Sequence, residues 1–256
     1  MTRRVALIVV LTAFVFAGTH ALAQVPAAPA APTAEALLDN HVKAVGGKET
    51  FAKLNTRAIK ARLEVPAAGV SMAISIWAAR PNKTRTLVES DIVGRVERGF
   101  DGTTGWEVST TGGPRLLAGA QLDDMARDAT FEGLAVWRDW VDKTETQGAA
   151  DVDGKPAWKA LVTPKRGSAQ TYYFDQATSL VVKMTMTVRS AMGDVPAESY
   201  FSDYRDAGGI RIAHRVRQVA AGQELVTTID SITHNVELPA DRFDPPAEVQ
   251  ALLAKK

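Results

Sequence analysis

The sequence contains no cysteine in 256 residues. This absence excludes disulfide bonds, thiolate metal sites, cysteine nucleophiles and iron–sulfur clusters, and also a lipid anchor on an N-terminal cysteine. An excess of one charge is lacking as well, because 30 Lys and Arg residues balance 29 Asp and Glu residues. A near-neutral chain gives no support for nucleic-acid binding, which needs a basic face. The content of 46% hydrophobic and 23% charged residues is typical of a folded globular protein.

The segment Met1–Gln24 has the three parts of a secretory signal peptide. Two arginines precede an apolar run over Val5–Ala17, and a small-residue A-x-A cleavage site ends at Ala23. A membrane anchor is the alternative, but the run is shorter than the roughly 20 apolar residues that span a bilayer. We therefore expect a signal peptide over residues 1–23, cleavage after Ala23 and a periplasmic location. We expect no transmembrane segment in the mature chain, because no second run of spanning length follows.

The mature chain begins with a predicted proline- and alanine-rich linker over residues 24–33. A single domain is predicted over residues 34–246, followed by a C-terminal tail over residues 247–256 that is a short helix or a frayed end. Thr33 is the predicted N-cap of the first helix, and Gly46 and Gly47 end it. The apolar stripe of that helix consists of Leu37, Leu38, His41, Val42 and Val45.

After Asn55 the hydrophobic pattern changes to a period of two, which predicts β-strands. Turn residues separate the strands, and short strands at close spacing predict one antiparallel meander. Two helical segments interrupt it, over Gln121–Ala129 and Leu134–Val141. The predicted fold is thus α+β and mostly antiparallel β. The eleven predicted strands are Arg57–Val65, Val70–Ala78, Thr84–Ser90, Arg95–Phe100, Gly105–Thr110, Ala157–Thr163, Gln170–Phe174, Leu180–Val188, Glu198–Arg205, Ile210–Gln218 and Glu224–Asn235.

Motifs for catalysis, metal binding and cofactor binding are scarce in the sequence. Gly167-Ser168 lacks the second glycine of a hydrolase nucleophile elbow, and no phosphate-binding or dinucleotide-binding glycine motif occurs. No histidine lies in a metal-ligand spacing, so we predict neither a metal nor a cofactor. An enzyme whose site is assembled in space near His41 or His214 stays open as an alternative, although a partly buried structural histidine is the simpler interpretation of each.

An apolar ligand cavity is the functional interpretation of the tryptophan and methionine residues, and ordinary core packing is its alternative. The helix over Gln121–Ala129 would cover the cavity with its acidic face turned outward. The face of each strand that points inward is not fixed by the pattern, because a shift of one residue exchanges the faces. The predicted lining consists of Ile74, Ile76, Trp106 and Tyr172 from the sheet and Leu122, Met125 and Ala126 from the helix.

Several segments resemble periplasmic proteins with the LolA-like fold. The run from Gly99 to Trp106 reads G-F-D-G-T-T-G-W and is similar to their strand–turn–strand motif G-[FY]-D-G-x-x-x-W. The likeness extends from about Ala34 to Phe243. It is carried further by the opening helix Leu37–Gly47 and by Val152–Lys165, Tyr172–Val181, Met192–Pro196, Tyr200–Arg205 and Gly209–His214.

The resemblance implies a single curved, unclosed half-barrel of about eleven strands with helices covering its concave face. It further implies a soluble carrier for lipoprotein acyl chains or lipid, of the outer-membrane lipoprotein-sorting type. The scarcity of catalytic motifs predicts that the protein is not an enzyme, and we expect a monomer. Lipoprotein carriers of this family hold their lid closed with an inward arginine, and Arg57, Arg62, Arg80 and Arg85 are all candidates for that position. An envelope sensor is the alternative function. It would bind a partner protein through the sheet surface, at a basic patch that consists of Arg205, Arg211, Arg215 and Arg217.

Overall fold

Alternating sequence patterns produce one antiparallel sheet of thirteen strands in the computed structural model, which describes residues 31–92, 94–190 and 193–255. The predicted signal peptide over residues 1–23 and most of the linker over residues 24–33 lie outside the described residues. The strands are β1 (Thr56–Val65), β2 (Val70–Ala79), β3 (Lys83–Ser90), β4 (Gly94–Phe100), β5 (Gly105–Ser109), β6 (Gly113–Leu116), β7 (Val141–Val152), β8 (Lys155–Pro164), β9 (Gln170–Asp175), β10 (Val181–Ser190), β11 (Gly193–Ala207), β12 (Ile210–Ala220) and β13 (Gln223–His234).

The predicted α+β, mostly antiparallel half-barrel is confirmed, with thirteen strands in place of eleven. The strands that the sequence pattern misses are the two edges of the sheet, β6 and β7. β6 has only four residues and contains Pro114, which weakens a strand signal. β7 is long, but its side chains are mostly exposed or half-exposed. It therefore lacks the regular apolar positions from which a half-buried strand is predicted.

The order of strands explains why helices cover one face. β1 pairs with β13 in the middle of the sheet, so the chain runs outward to the edge at β6 and re-enters at the opposite edge, β7. The connection between these edges carries α3 (Gly119–Asp128), a 3-10 turn over Gly133–Val136 and α4 (Trp137–Trp140). Together with α1 (Ala34–Ala44) and α2 (Lys48–Phe51), this connection forms the helical cover of the sheet's concave face.

The first helix follows its predicted boundaries. The hydroxyl oxygen of Thr33 accepts a hydrogen bond from the backbone N–H of Ala36 at 3.2 Å, as an N-cap does. Gly46 and Gly47 follow the helix with positive φ angles of 123° and 79°, a conformation that favours glycine. All five residues of the predicted apolar stripe are buried. Most of them pack into the core over β8, β9 and β10, beside Val162, Tyr172 and Phe174.

A second, smaller core lies on the convex face of the first half of the sheet. Trp106, Phe243 and Val249 are all buried there. The residues after β13 supply its cover, since α5 (Ala247–Leu253) packs against β6 and the backbone carbonyl of Arg242 accepts a hydrogen bond from Arg85 at 3.0 Å. The predicted C-terminal tail therefore contains a packed helix that belongs to the same compact unit as the sheet.

Candidate functional site

An apolar cavity of about 460 Å³ lies on the concave face, between the helical cover and the strands β11, β12 and β13. Val45, directly after α1, and Phe51 of α2 lie in its wall, and the 3-10 turn contributes Leu134. The strands contribute apolar side chains from the opposite side. The lining consists of His41, Val45, Phe51, Glu132, Gly133, Leu134, Ala135, Phe201, Tyr204, Arg211, Ile212, Ala213, Val216 and Ile229. Its size and composition match those of small-ligand sites, which are mostly apolar with a few polar groups.

His41 is the buried polar side chain that α1 brings to this cavity. Its Nδ1 lies 3.1 Å from the backbone carbonyl oxygen of Ser179, so Nδ1 carries the proton that this bond requires. Desolvation lowers the pKa of His41 to about 4, and the ring is therefore neutral at neutral pH. The ring also packs against Phe174, with centroids 5.9 Å apart. His41 therefore lines the cavity as a neutral ring whose Nδ1 is already hydrogen-bonded to the protein.

Neither candidate catalytic histidine has the partner that a general base needs. His214 is 8% exposed, and its Nδ1 lies 2.9 Å from the backbone carbonyl oxygen of Ile212. Among the described residues, neither His41 nor His214 is hydrogen-bonded to a carboxylate or a hydroxyl group. Within the same residues, no group of three or more metal-ligating side chains converges. The contacts of both histidines are thus those of structural side chains.

The seven residues predicted to line a cavity do not form one site. Ile76 borders a cavity of about 140 Å³ beside Phe131, Met125 borders a polar groove of about 280 Å³ between α3 and β10, and Tyr172 borders a space of about 200 Å³ under the 3-10 turn. Ile74 is buried beside Ile76 on the concave face, and the side chain of Leu122 lies against the backbone of Gly105. Ala126 lies on α3 and is half-buried. Contact of these six residues with a ligand stays a prediction.

Trp106 lies on the opposite, convex face of the sheet. It pairs with Gly99, Gly99 pairs with Arg85, and Arg85 pairs with Trp77, the neighbour of Ile76. Directly opposite residues in a sheet project to the same face, and adjacent residues project to opposite faces. The placement of Trp106 beside the isoleucines was therefore wrong, because the turn after β4 shifts the alternation by one residue.

The cavity-lining residues that sequence reasoning missed come from the middle of the sheet. Phe201, Val216 and Ile229 occupy β11, β12 and β13, which pair with one another and, through β13, with β1. Their alternation was visible in the sequence, and it predicted strands at these places. The pairing of β1 with β13 was not visible, because it joins residues such as Ala61 and Ile229 that are far apart in the chain.

One acidic residue of α3, Asp124, bonds the helix to the sheet. Asp124 accepts hydrogen bonds from the backbone N–H of Ser168 at 2.7 Å, from the Ser168 hydroxyl at 3.1 Å and from Arg127 at 3.0 Å. Arg189 on β10 lies 3.4 Å from the same carboxylate. The expectation that the acidic face of this helix points outward holds for Asp128, whose side chain is 59% exposed, but is wrong for Asp124. Asp124 is only 16% exposed, because it closes an ion-pair network between the helix and the sheet.

The four candidate lid arginines have different environments. Arg80 joins the parts of the helical cover: it donates to the carbonyls of Leu54 at 2.5 Å and Phe51 at 2.6 Å and pairs with Glu132. Arg62 is exposed and pairs with Asp230 at 3.0 Å. Arg85 lies on the convex face, where it pairs with buried Glu97. Arg57 lies on the concave face and borders the cavity beside Phe131.

The predicted basic patch is partly neutralised by acidic neighbours. Arg205 pairs with Asp203 at 2.6 Å, and Arg217 lies 3.6 Å from Glu224 and 3.8 Å from Asp153. Arg211 borders the apolar cavity. Arg215 is exposed, and acidic neighbours offset the charge of two of the four arginines.

Comparison with known proteins identifies the fold. No family model matches the chain, and no curated protein matches its sequence. Among solved structures, a LolA superfamily protein from Nitrosomonas europaea matches with a TM-score of 0.56 and 16% identity, over 84% of this chain and 99% of that chain. A DUF1329 family protein from Desulfovibrio piger matches with a TM-score of 0.56 and 15% identity, over 82% and 97%.

A domain from Vibrio parahaemolyticus, described as an outer membrane lipoprotein-sorting protein, matches with a TM-score of 0.54 and 9% identity, over 82% of this chain and 95% of that domain. Likenesses at these identities establish architecture and leave activity open. In the part of the chain that the structure describes, no helix is long and apolar enough to cross a bilayer. The thirteen-stranded unclosed sheet and its structural relatives together show that this chain has a LolA-like fold.

Proposed function

We propose that the protein is a periplasmic carrier or receptor that binds an acyl chain, from a lipoprotein or a free lipid, in the 460 Å³ cavity beneath its helical cover. The observation that carries this proposal is the wall of that cavity, where apolar side chains from the end of α1, from α2, from the 3-10 turn and from three strands face one another. The structural likeness to a lipoprotein-sorting domain supports the same ligand class.

The energetics of such binding need no catalytic group. Burial of an acyl chain contributes about 0.8 kcal/mol for each methylene group. The hydroxyl of Tyr204 is already bonded to the carbonyl of Val181 at 2.7 Å, and the ring of His41 is neutral. The wall therefore presents little polar surface that an alkyl chain would leave without a partner.

The test compares ligand binding by the wild-type protein with ligand binding by a variant in which a larger side chain fills the cavity. Protein purified from a bacterial periplasm is extracted with organic solvent for lipid identification, and it is titrated with the neutral apolar fluorophore N-phenyl-1-naphthylamine. In the variant Val216→Trp, an indole occupies the cavity, and we expect the fluorophore affinity to fall at least about tenfold. The matched control is Arg215→Trp on the same strand, whose exposed side chain is not among the residues that line the cavity.

The outcomes separate clearly. Loss of binding in Val216→Trp alone, with both variants folded by circular dichroism, supports the proposal. Equal affinities in the two variants, or a wild-type protein that carries no lipid and binds no apolar probe, contradict it.

Export is the second part of the proposal. The predicted signal peptide over residues 1–23 supports it. Amino-terminal sequencing of the protein from a periplasmic fraction should begin at Gln24. An uncleaved protein retained with the cytoplasm would contradict a periplasmic role.

A further inference from the structure

Arg57 is a half-buried cation on the concave face that has no acidic partner among the described residues. Its Nη2 atom is inaccessible to solvent and has no hydrogen-bond acceptor among the described residues. Its Nε lies 3.5 Å from Nδ1 of His234, and its guanidinium lies 4.8 Å from the centre of the Phe131 ring. Arg80, 5.5 Å from the same ring, is by contrast paired with Glu132. Two arginines thus flank one aromatic ring, and only one of them has a carboxylate.

The charge of Arg57 persists despite its burial. Desolvation lowers the pKa of Arg57 to about 10, so the guanidinium is still protonated at neutral pH. His234 cannot supply a counter-charge, because an imidazole is either neutral or cationic; desolvation and the neighbouring Arg57 lower its pKa. A buried charge without a counter-ion is costly, and proteins retain such groups mostly where a function uses them.

The cavity in front of Arg57 has a size and chemistry that suit a small anionic group. It measures about 140 Å³, and Ile59, Ile76 and Ala78 form its apolar wall. Asp128 is the acidic residue in its lining, and Arg127 already donates to that carboxylate at 2.9 Å. Asp128 forms no ion pair with Arg57 among the described residues. The guanidinium of Arg57, a cation, is therefore the donor at this cavity that still lacks an acceptor among the described residues.

The small cavity and the large one border the same apolar cluster. Phe131 packs with Leu54 and Ile210, and the partly buried Phe51 and Ile212 pack against them. Phe131 lines the small cavity, whereas Phe51 and Ile212 line the large one. A single amphiphile bound along this cluster would have its chain on one side and its polar end on the other.

We propose that Arg57 binds the anionic end of the ligand, a carboxylate or a phosphate monoester, in the cavity beside Phe131. This inference rests on the proposed function, because it assigns the polar end of the molecule whose chain fills the larger cavity. A bidentate contact between guanidinium and carboxylate or phosphate is strong in a low-dielectric site. It would give Arg57 the counter-ion that the described residues do not supply.

The experiment compares ligands that differ only in their polar end. Palmitate, hexadecyl phosphate and hexadecan-1-ol compete with N-phenyl-1-naphthylamine for wild-type protein. We expect at least one anion to bind about tenfold more tightly than the alcohol, and the stronger anion identifies a carboxylate or a phosphate as the natural group. The comparison needs no variant, so it is decisive even if substitutions at residue 57 disturb folding.

Variants at residue 57 then test whether Arg57 causes the preference for the anionic ligand over the alcohol. Arg57→Met should abolish the preference for the anion and leave the affinity for the alcohol unchanged, whereas Arg57→Lys should retain part of it. Arg62→Met, on the exposed side of the same strand, is the matched control and should behave like wild type. A merely structural role for Arg57 would change the affinities for alcohol and anion equally.

Two results overturn the inference in distinguishable ways. If wild type binds palmitate, hexadecyl phosphate and the alcohol equally, Arg57 does not select an anion, and the acyl-chain proposal stands without it. If none of the three displaces the probe, the acyl-chain proposal itself fails, and the assignment of Arg57 fails with it.

Discussion

The indole of Trp106 covers the α-carbon of Gly99 on the neighbouring strand. A β-carbon built on residue 99 would lie 2.2 Å from Cζ2 of that indole and 2.4 Å from its Cε2. Trp106 itself is fully buried on the convex face, where Arg85 stacks over it at 5.5 Å. The glycine and the tryptophan of the sequence motif are therefore one packing unit, which explains why the motif indicates the fold and says nothing about a ligand.

The contact predicts that Gly99→Ala is strongly destabilising. The new methyl group overlaps a large, enclosed ring that cannot move without disturbing the convex core, and we expect a loss of about 3 kcal/mol in the free energy of unfolding. Urea denaturation measures this loss. Gly112→Ala is the control, because its β-carbon would meet only the Ser109 hydroxyl, at 2.9 Å, in an exposed turn. Similar losses in both variants would show that the Gly99–Trp106 contact is unimportant.

The C-terminal helix makes a second prediction on the same face. Val249 is fully buried where α5 packs against β6, whereas Leu253 on the same helix is 37% exposed. Val249→Asp places a charge in this core and should lower the free energy of unfolding by about 3 kcal/mol or more. Leu253→Asp should change it by less than about 1 kcal/mol. If urea titrations give the same free energy of unfolding for Val249→Asp and Leu253→Asp, burial of Val249 under this helix does not stabilise the fold.

Local sequence patterns predicted the helices and strands, whereas the cavity is formed by pairing between strands that are far apart in the chain. The stripe from Leu37 to Val45 and the alternation in β1 and β2 each depend on neighbouring residues, so the sequence predicted the helix with its buried stripe and the two strands, but not which face of a strand points inward. The face of Trp106 depends on how the chain turns after Phe100, which alternation alone cannot show. The large cavity depends on the pairing of β1 with β13, which no local pattern encodes.

The network around Asp124 predicts how the helical cover opens. The carboxylate joins α3 to the hairpin at Ser168 and to Arg189 on β10, and Arg127 is 7% exposed within the same network. Asp124→Ala removes these bonds, so that Arg127 keeps Asp128 and the Ser168 carbonyl as acceptors and Arg189 keeps the Ser168 hydroxyl, but no carboxylate joins α3 to the hairpin and to β10 at this point. We expect faster hydrogen exchange in α3 and in the hairpin, which reports local opening of the cover.

The control for this experiment is the adjacent acid. Asp123 forms no hydrogen bond or ion pair with the described residues, so Asp123→Ala should leave hydrogen exchange in α3 unchanged. The two variants have the same net charge, which removes general electrostatics from the comparison. If hydrogen exchange in α3 increases equally in both variants, Asp124 does not hold this helix to the sheet.

The last prediction concerns pH and rests on His41. Its pKa is lowered from 6.5 to about 4 by burial in the folded protein, whereas the unfolded chain keeps the ordinary value. Between these values only the unfolded state binds the proton, so stability falls as pH falls from 6.5 to about 4, by about 3 kcal/mol. His41→Leu removes this contribution, although it leaves the Ser179 carbonyl without its donor. Urea titrations at several pH values should therefore show a shallower decline in the variant, and parallel curves would contradict the assignment.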